Sequence, residues 1–114
     1  MADCIFCKII AGEMPSDIKY RDEKVIALSD IHPLAPTHLL IIPKKHIPSL
    51  ADMSDKDASL VGDMARVANK LAKETGISEN GYRLVINCGR HGTQGVAHLH
   101  MHLLGGRQLS SALG

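Results

Sequence analysis

Three histidines alternate with apolar residues in His98-Leu99-His100-Met101-His102-Leu103. In an extended strand successive side chains take opposite faces. The three imidazoles therefore share one side at steps of about 7 Å, and Leu99, Met101 and Leu103 share the other. Imidazole titrates near neutral pH and serves as nucleophile, proton carrier or metal ligand. A row of three supplies one ring to attack and neighbours to hold an anion. Alternating rings also suit zinc, and the plainest alternative is the polar face of an edge strand. A second group stands near the N-terminus, where Cys4-Ile5-Phe6-Cys7 has the spacing of a two-ligand zinc pair. The third cysteine is Cys88. An odd cysteine count makes a poor disulfide framework, which leaves a metal pair, a chance pair or reduced, buried thiols.

A sheet has to hold such a row. The segment 4–10 is short and apolar, suited to one or two helical turns ended by Gly12 and Pro15. Segments 18–20 and 25–28 read as strands joined by the polar turn Arg21-Asp22-Glu23-Lys24. Asp30 to Pro36 is a proline-broken loop, and 38–42 is a β-branched and leucine-rich strand closed by Pro43. The spacing of Leu60, Met64, Val67, Ala68 and Leu71 predicts a helix over 54–75. Ser54 and Asp57 resemble a capping box at its start, and Gly76 sits where a glycine stops a helix. Strands are expected over 82–88 and 96–104, with glycine-rich loops around them. Three strands, a long helix and two more strands imply α+β architecture with antiparallel pairing.

The 114 residues suit a single domain, read here as 1–114, with 45% hydrophobic residues to fill a core. Net charge is +1, which argues against nucleic-acid binding through bulk charge. With three aromatic residues, Phe6, Tyr20 and Tyr82, the chain lacks a base-stacking platform. No apolar run is long enough to span a membrane and no signal peptide is readable, so a cytoplasmic location is expected.

The run Gln94-Gly95-Val96-Ala97-His98-Leu99-His100-Met101-His102-Leu103-Leu104 resembles the signature of the histidine triad family, His-x-His-x-His followed by two apolar residues. Ile5-Phe6-Cys7-Lys8-Ile9-Ile10, Asp30-Ile31, Ala35-Pro36-Thr37-His38, Ile42-Pro43-Lys44-Lys45-His46 and Gly81-Tyr82-Arg83-Leu84 through Asn87 are similar to further blocks of that family. Leu104-Gly105-Gly106-Arg107 resembles the Hint branch rather than the Fhit branch. The resemblance implies a five-stranded antiparallel sheet with one long helix and a short N-terminal helix, the sheet extended across a homodimer. It also implies cleavage of purine nucleoside 5′-phosphoramidates or aminoacyl-adenylates through a nucleotidyl-histidine intermediate, releasing the nucleoside monophosphate. Dinucleoside polyphosphate hydrolysis, or nucleotide binding with only slow hydrolysis, are the alternatives.

By the same resemblance His100 is the nucleophile, His102 a donor to the phosphoryl oxygens and His38 a further active-site histidine. Asp30 accepts from the ribose hydroxyls, and a carboxylate suits a vicinal diol because it offers two acceptor oxygens. From the residues alone, Asp30 is also a good loop-start cap and His38 a hydrogen-bonded strand histidine. Asn87, Gln94, Gly95 and Val96 match positions around the phosphate. Phe6, Ile9, Leu28, Ile31 and Leu40 match the lining of the base pocket, although composition alone makes each a core residue. Gly95 stands where related sequences often carry serine, so a hydroxyl near the leaving amine is missing. Cys4, Cys7, His46 and His98 match the ligands of a structural zinc in zinc-containing relatives. Four protein ligands close a tetrahedral site, so such a metal takes no part in catalysis.

Overall fold

Asp22 starts the sheet. In the computed structural model, which describes residues 4–114, its Oδ1 accepts the N–H groups of Lys24 (2.7 Å) and Val25 (2.8 Å). That turn joins β1 (Ile18–Arg21) to β2 (Val25–Ser29). β3 (Thr37–Pro43), β4 (Tyr82–Val85) and β5 (Met101–Gly105) complete an antiparallel sheet in the order β1-β2-β3-β5-β4. Two helices flank it, α1 (Ile5–Ile10) and α2 (Ala58–Glu74).

Alternation along the strands divides the core in two. Val25, Ala27, Leu39, Ile41, Met101 and Leu103 face α2 and meet Met64, Val67, Ala68 and Leu71. Ile26, Leu28, Leu40 and Ile42 face the other way and meet Phe6 and Ile9 of α1. His102 lies opposite Leu40, which itself lies opposite Leu28, so this histidine belongs to the face covered by α1.

Both helices stop in the same way. Gly76 (φ 79°) follows α2, with Ile77 N–H donating to the Ala72 carbonyl (3.0 Å) and Gly76 N–H to Lys73 (3.2 Å). Gly12 (φ 78°) follows α1, with Glu13 N–H on Lys8 (2.9 Å) and Gly12 N–H on Ile9 (3.1 Å). A left-handed glycine satisfies the last carbonyls in each case.

Three boundaries differ from expectation by more than one residue. α2 begins at Ala58, and a 3₁₀ turn occupies Asp55–Asp57. Ser54 Oγ donates to the Asp57 carboxylate (3.1 Å) instead of capping a backbone N–H. β5 begins at Met101, so His98 and His100 precede the strand. Pro43 is the reason. Ile41 pairs with Met101, so Pro43 would pair with Leu99. Lys44 N–H goes to Lys24 of the β2 side (2.8 Å), which turns Pro43 toward β5, where it has no N–H to donate. The ladder stops, and Leu99 N–H bonds to the Ile47 carbonyl instead (2.7 Å). With 96–100 drawn toward 43–48, residues 86–88 lose their ladder partner, and β4 ends at Val85. Among the described residues no helix is long and apolar enough to cross a membrane.

Candidate active site

The three histidines part company where the chain enters β5. His98 is fully buried, and its Nε2 lies 2.8 Å from the Pro43 carbonyl. A carbonyl only accepts, so Nε2 carries the proton and Nδ1 presents a bare lone pair. That Nδ1 stands 3.3 Å from Cys4 Sγ, 3.6 Å from Cys7 Sγ and 3.1 Å from His46 Nδ1, and Cys7 Sγ lies 3.3 Å from His46 Nδ1. Zinc bonds of about 2.3 Å to sulfur and 2.0–2.1 Å to nitrogen, at tetrahedral angles, separate ligand atoms by about 3.3–3.8 Å. The three sulfur–nitrogen distances fall within that range and the nitrogen pair lies just below it, all four ligand atoms lie within 4.8 Å of one another, and the residue types are those of a closed Cys₂His₂ site. Cys4 also caps α1, accepting the Cys7 N–H at 3.4 Å. Burial, then the neighbouring Cys4, pushes the Cys7 thiol above its ordinary value. A cation would relieve that penalty by holding the thiolate. Phe6, between the two cysteines, packs edge-on against His98 and His100 with centroids 5.8 and 5.2 Å apart.

His100 is also buried, and its Nδ1 lies 2.7 Å from the His98 carbonyl. The same logic assigns the proton to Nδ1 and leaves the Nε2 lone pair free. His102 ring stands 5.2 Å from that of His100.

A second group of titratable side chains contains Asp30, His38 and His102. Here the main chain decides the protonation. Leu34 N–H donates to His38 Nδ1 (3.0 Å), so the His38 proton is on Nε2. His38 Nε2 lies 2.9 Å from His102 Nδ1 and 3.3 Å from Asp30 Oδ2. Donation to His102 Nδ1 leaves the His102 proton on Nε2, available to a ligand. A metal on His38 Nε2 would require a proton at Nδ1, against the Leu34 N–H, so this group suits proton relay better than cation binding. Burial holds His38 below its ordinary value, more than the Asp30 carboxylate raises it. Burial does the same to His102, helped by His100 and His38.

The remaining matched residues divide by what their side chains touch. Asp30 follows β2 and takes the His32 N–H on Oδ1 (2.8 Å). Asn87 donates to the Gly92 carbonyl (2.8 Å), and among the described residues its amide oxygen has no partner. Gln94 accepts the Gly89 N–H (3.0 Å) and donates to the Pro48 (2.7 Å) and Val96 (2.9 Å) carbonyls. Both of its amide protons are thus engaged with main-chain carbonyls. A Cβ on Gly95 would meet open space, whereas Gly92 lies directly on the Cys88 backbone. Thr93, a β-branched residue at φ 58°, takes up the strain of the turn between them. Val96 joins Phe6, Ile9, Leu28 and Leu40 in the apolar cluster under α1, while Ile31 is 83% exposed on its loop. A cavity of about 790 Å³ beside Thr37, Ile77, Tyr82 and Arg107 contains none of the histidines.

The family described as scavenger mRNA decapping enzyme C-terminal binding matches residues 3–114. The chain is 53% identical over 111 residues to the Escherichia coli (strain K12) protein named purine nucleoside phosphoramidase, covering 97% of this chain and 93% of that one. A HIT family hydrolase from Legionella pneumophila superposes with a TM-score of 0.96 at 50% identity, over 98% of this chain and 100% of that one. The chain belongs to the histidine triad family. A zinc-bound histidine triad protein from Mycobacterium smegmatis is 28% identical, with a TM-score of 0.82 over 96% of this chain and 79% of that one. In this histidine triad protein two contributors escape sequence reasoning. Leu34 acts through its peptide N–H and Pro43 through its carbonyl. Main-chain groups leave no residue-type signal, and only the proline-broken loop and the strand-ending proline mark the places.

Proposed function

We propose that the protein hydrolyses purine nucleoside 5′-phosphoramidates, and related aminoacyl-adenylates, through a nucleotidyl-histidine intermediate, with 1–114 acting as one domain. The observation that carries this reading is the 2.7 Å bond from His100 Nδ1–H to the His98 carbonyl, which leaves Nε2 as a free nucleophile. Nε2 attacks the α-phosphorus, a P–N bond to imidazole forms, and the P–N bond to the amine breaks (for an aminoacyl-adenylate, the P–O bond to the departing carboxylate). The amine leaves with a proton from water, since Gly95 brings no hydroxyl and neutral His102 keeps its Nε2 proton. Water then attacks the phosphorus, releasing the nucleoside monophosphate and regenerating neutral His100. His102 Nε2–H, the second amide proton of Asn87 and the backbone N–H groups of Gly95 and Val96 are the donors for charge growing on the phosphoryl oxygens.

Asp30 takes the ribose hydroxyls, and the base lies toward Phe6, Ile9, Leu28, Leu40 and Ile31. Cys4, Cys7, His46 and His98 hold a structural zinc that ties α1 to the sheet and supplies no reacting group. The protein acts as a homodimer in which the sheet continues across the subunits. The open edge of β4, with Leu84 36% exposed, supports that association.

The experiment is steady-state turnover of a fluorogenic adenosine 5′-phosphoramidate by wild type and His100→Asn. Asparagine keeps a polar group but removes the nucleophile, so turnover falls by at least about 10³ while monophosphate binding persists. Retained turnover overturns the assignment. Diadenosine polyphosphates, run beside it, test the other hydrolytic reading.

A further inference from the structure

The proton position on His38 depends on a residue, Leu34, whose backbone is itself held from the outside. Leu34 gives its N–H to His38 Nδ1 (3.0 Å), and its carbonyl accepts from Arg107 Nη2 (2.8 Å). The neighbouring Gly106 makes a second contact with the same loop. Its φ is 96°, and a Cβ there would stand 2.9 Å from Pro36 Cβ, so its bare backbone lies against the proline. Apolar burial fixes the loop at Ala35, whereas Ile31 and Leu34 are 83% and 70% exposed. At its start the Asp30 carboxylate holds His32 N–H (2.8 Å), but that bond stops short of Leu34. Beside the buried Ala35, the contacts that hold the Leu34 backbone come from Gly106 and Arg107.

We propose that Gly106 and Arg107 form a clasp that sets the tautomer of His38 and, through it, that of His102, which makes Arg107 a positioning residue for the donor at the phosphate. The last clause rests on the functional reading above, while the tautomer claim stands on the hydrogen bonds alone. With the clasp closed, Leu34 N–H forbids a proton on His38 Nδ1. The His38 proton sits on Nε2, points at His102 Nδ1, and keeps the His102 proton on its outward Nε2. With the clasp open, His38 gains access to the Nδ1–H tautomer. Its bare Nε2 then faces His102 Nδ1 and draws the His102 proton inward. The number of protons is unchanged, but His102 now presents a lone pair to anionic oxygens. Asp30 Oδ2, 3.3 Å from His38 Nε2, favours the closed arrangement as well, so opening the clasp shifts the population without inverting it.

The test labels histidine with ¹⁵N and reads the Nδ1 and Nε2 resonances of His38 and His102 in the full-length protein. Wild type, Arg107→Ala, Arg107→Lys and the helix-surface control Arg66→Ala are compared at neutral pH, with kcat and KM for the fluorogenic phosphoramidate. Wild type and Arg66→Ala show His102 protonated on Nε2. Arg107→Ala shows both tautomers in exchange, with kcat down about three- to tenfold, the effect of losing one ordinary hydrogen bond, and KM within about twofold. Arg107→Lys, which keeps one donor for the Leu34 carbonyl, restores part of each. Wild-type tautomers in Arg107→Ala overturn the clasp, even if kcat falls. A tautomer shift with unchanged kcat overturns the positioning role. If wild type turns over no phosphoramidate, the functional reading falls and the ¹⁵N spectra alone decide the clasp.

Discussion

The Nδ1 atoms of His46 and His98 face each other across 3.1 Å. His98 Nδ1 is a bare lone pair, because its other nitrogen donates to the Pro43 carbonyl. The histidines share this corner with two cysteine sulfurs on α1, so a cation here would join the first helix to the end of β3. One zinc per chain is the expected stoichiometry by metal analysis. Removing it with a chelator, or replacing Cys7 by serine, lowers the melting temperature by at least about 5 °C, since a ligand bound only by the folded state stabilises it. A metal-free purified protein that melts identically with and without chelator sinks the assignment.

His38 and His102 form a unit, so their substitutions do not add. His102→Ala removes the donor itself and lowers kcat by about 10²–10³. His38→Ala removes only the partner that orients it, and costs less. In the double variant the loss stays close to that of His102→Ala alone. Single-turnover kinetics on the four proteins measure this. Additive losses would mean that His38 acts on the substrate independently of His102.

The same pair makes stability depend on pH. Burial holds both histidines below their ordinary value of 6.5. In the unfolded chain they protonate first, so the unfolded state binds more protons once the pH drops below 6.5. Their stabilising contribution is complete above that value and is lost progressively as pH falls toward the depressed folded values. Denaturant melts between pH 7.5 and 5 are expected to show this loss, and a His38→Gln, His102→Gln variant to show a shallower slope. An equal slope in that variant assigns the acid sensitivity elsewhere.

The alternation of His98 to Leu103 is legible in the sequence, and Leu99, Met101 and Leu103 do fill the core against α2. The end of the ladder is not legible, because it depends on Pro43 of the neighbouring strand falling at a donor position toward β5. That is a fact of register, not of composition. The long helix reads well from its apolar spacing, but its first turn does not, since Ser54 and Asp57 bond each other rather than the backbone. Gln94 is legible as part of the signature but not as a brace. Its carboxamide faces the Gly89, Pro48 and Val96 main chain, which only the folded loop brings together. The exposed Ile31 shows the opposite limit, since an apolar residue in a motif looks the same in a sequence whether it lies inside or out.

Gly95 offers the most direct chemical test of the loop. A side chain there meets open space, and the backbone conformation is one that other residues adopt. Gly95→Ser therefore folds with little change in stability, within about 0.5 kcal/mol. Its hydroxyl would stand beside the backbone N–H groups that are proposed to face the phosphate, where it can pass a proton to the departing amine. The expected result is a rise in kcat of up to about tenfold for substrates with a basic amine leaving group. Substrates with an activated leaving group, which departs without a proton, gain less. A series of phosphoramidates of graded amine basicity measures the difference as a change in slope. A uniform rise across the series would indicate better binding rather than proton transfer. No rise at all would mean that water already protonates the amine well enough that departure is not the slow step.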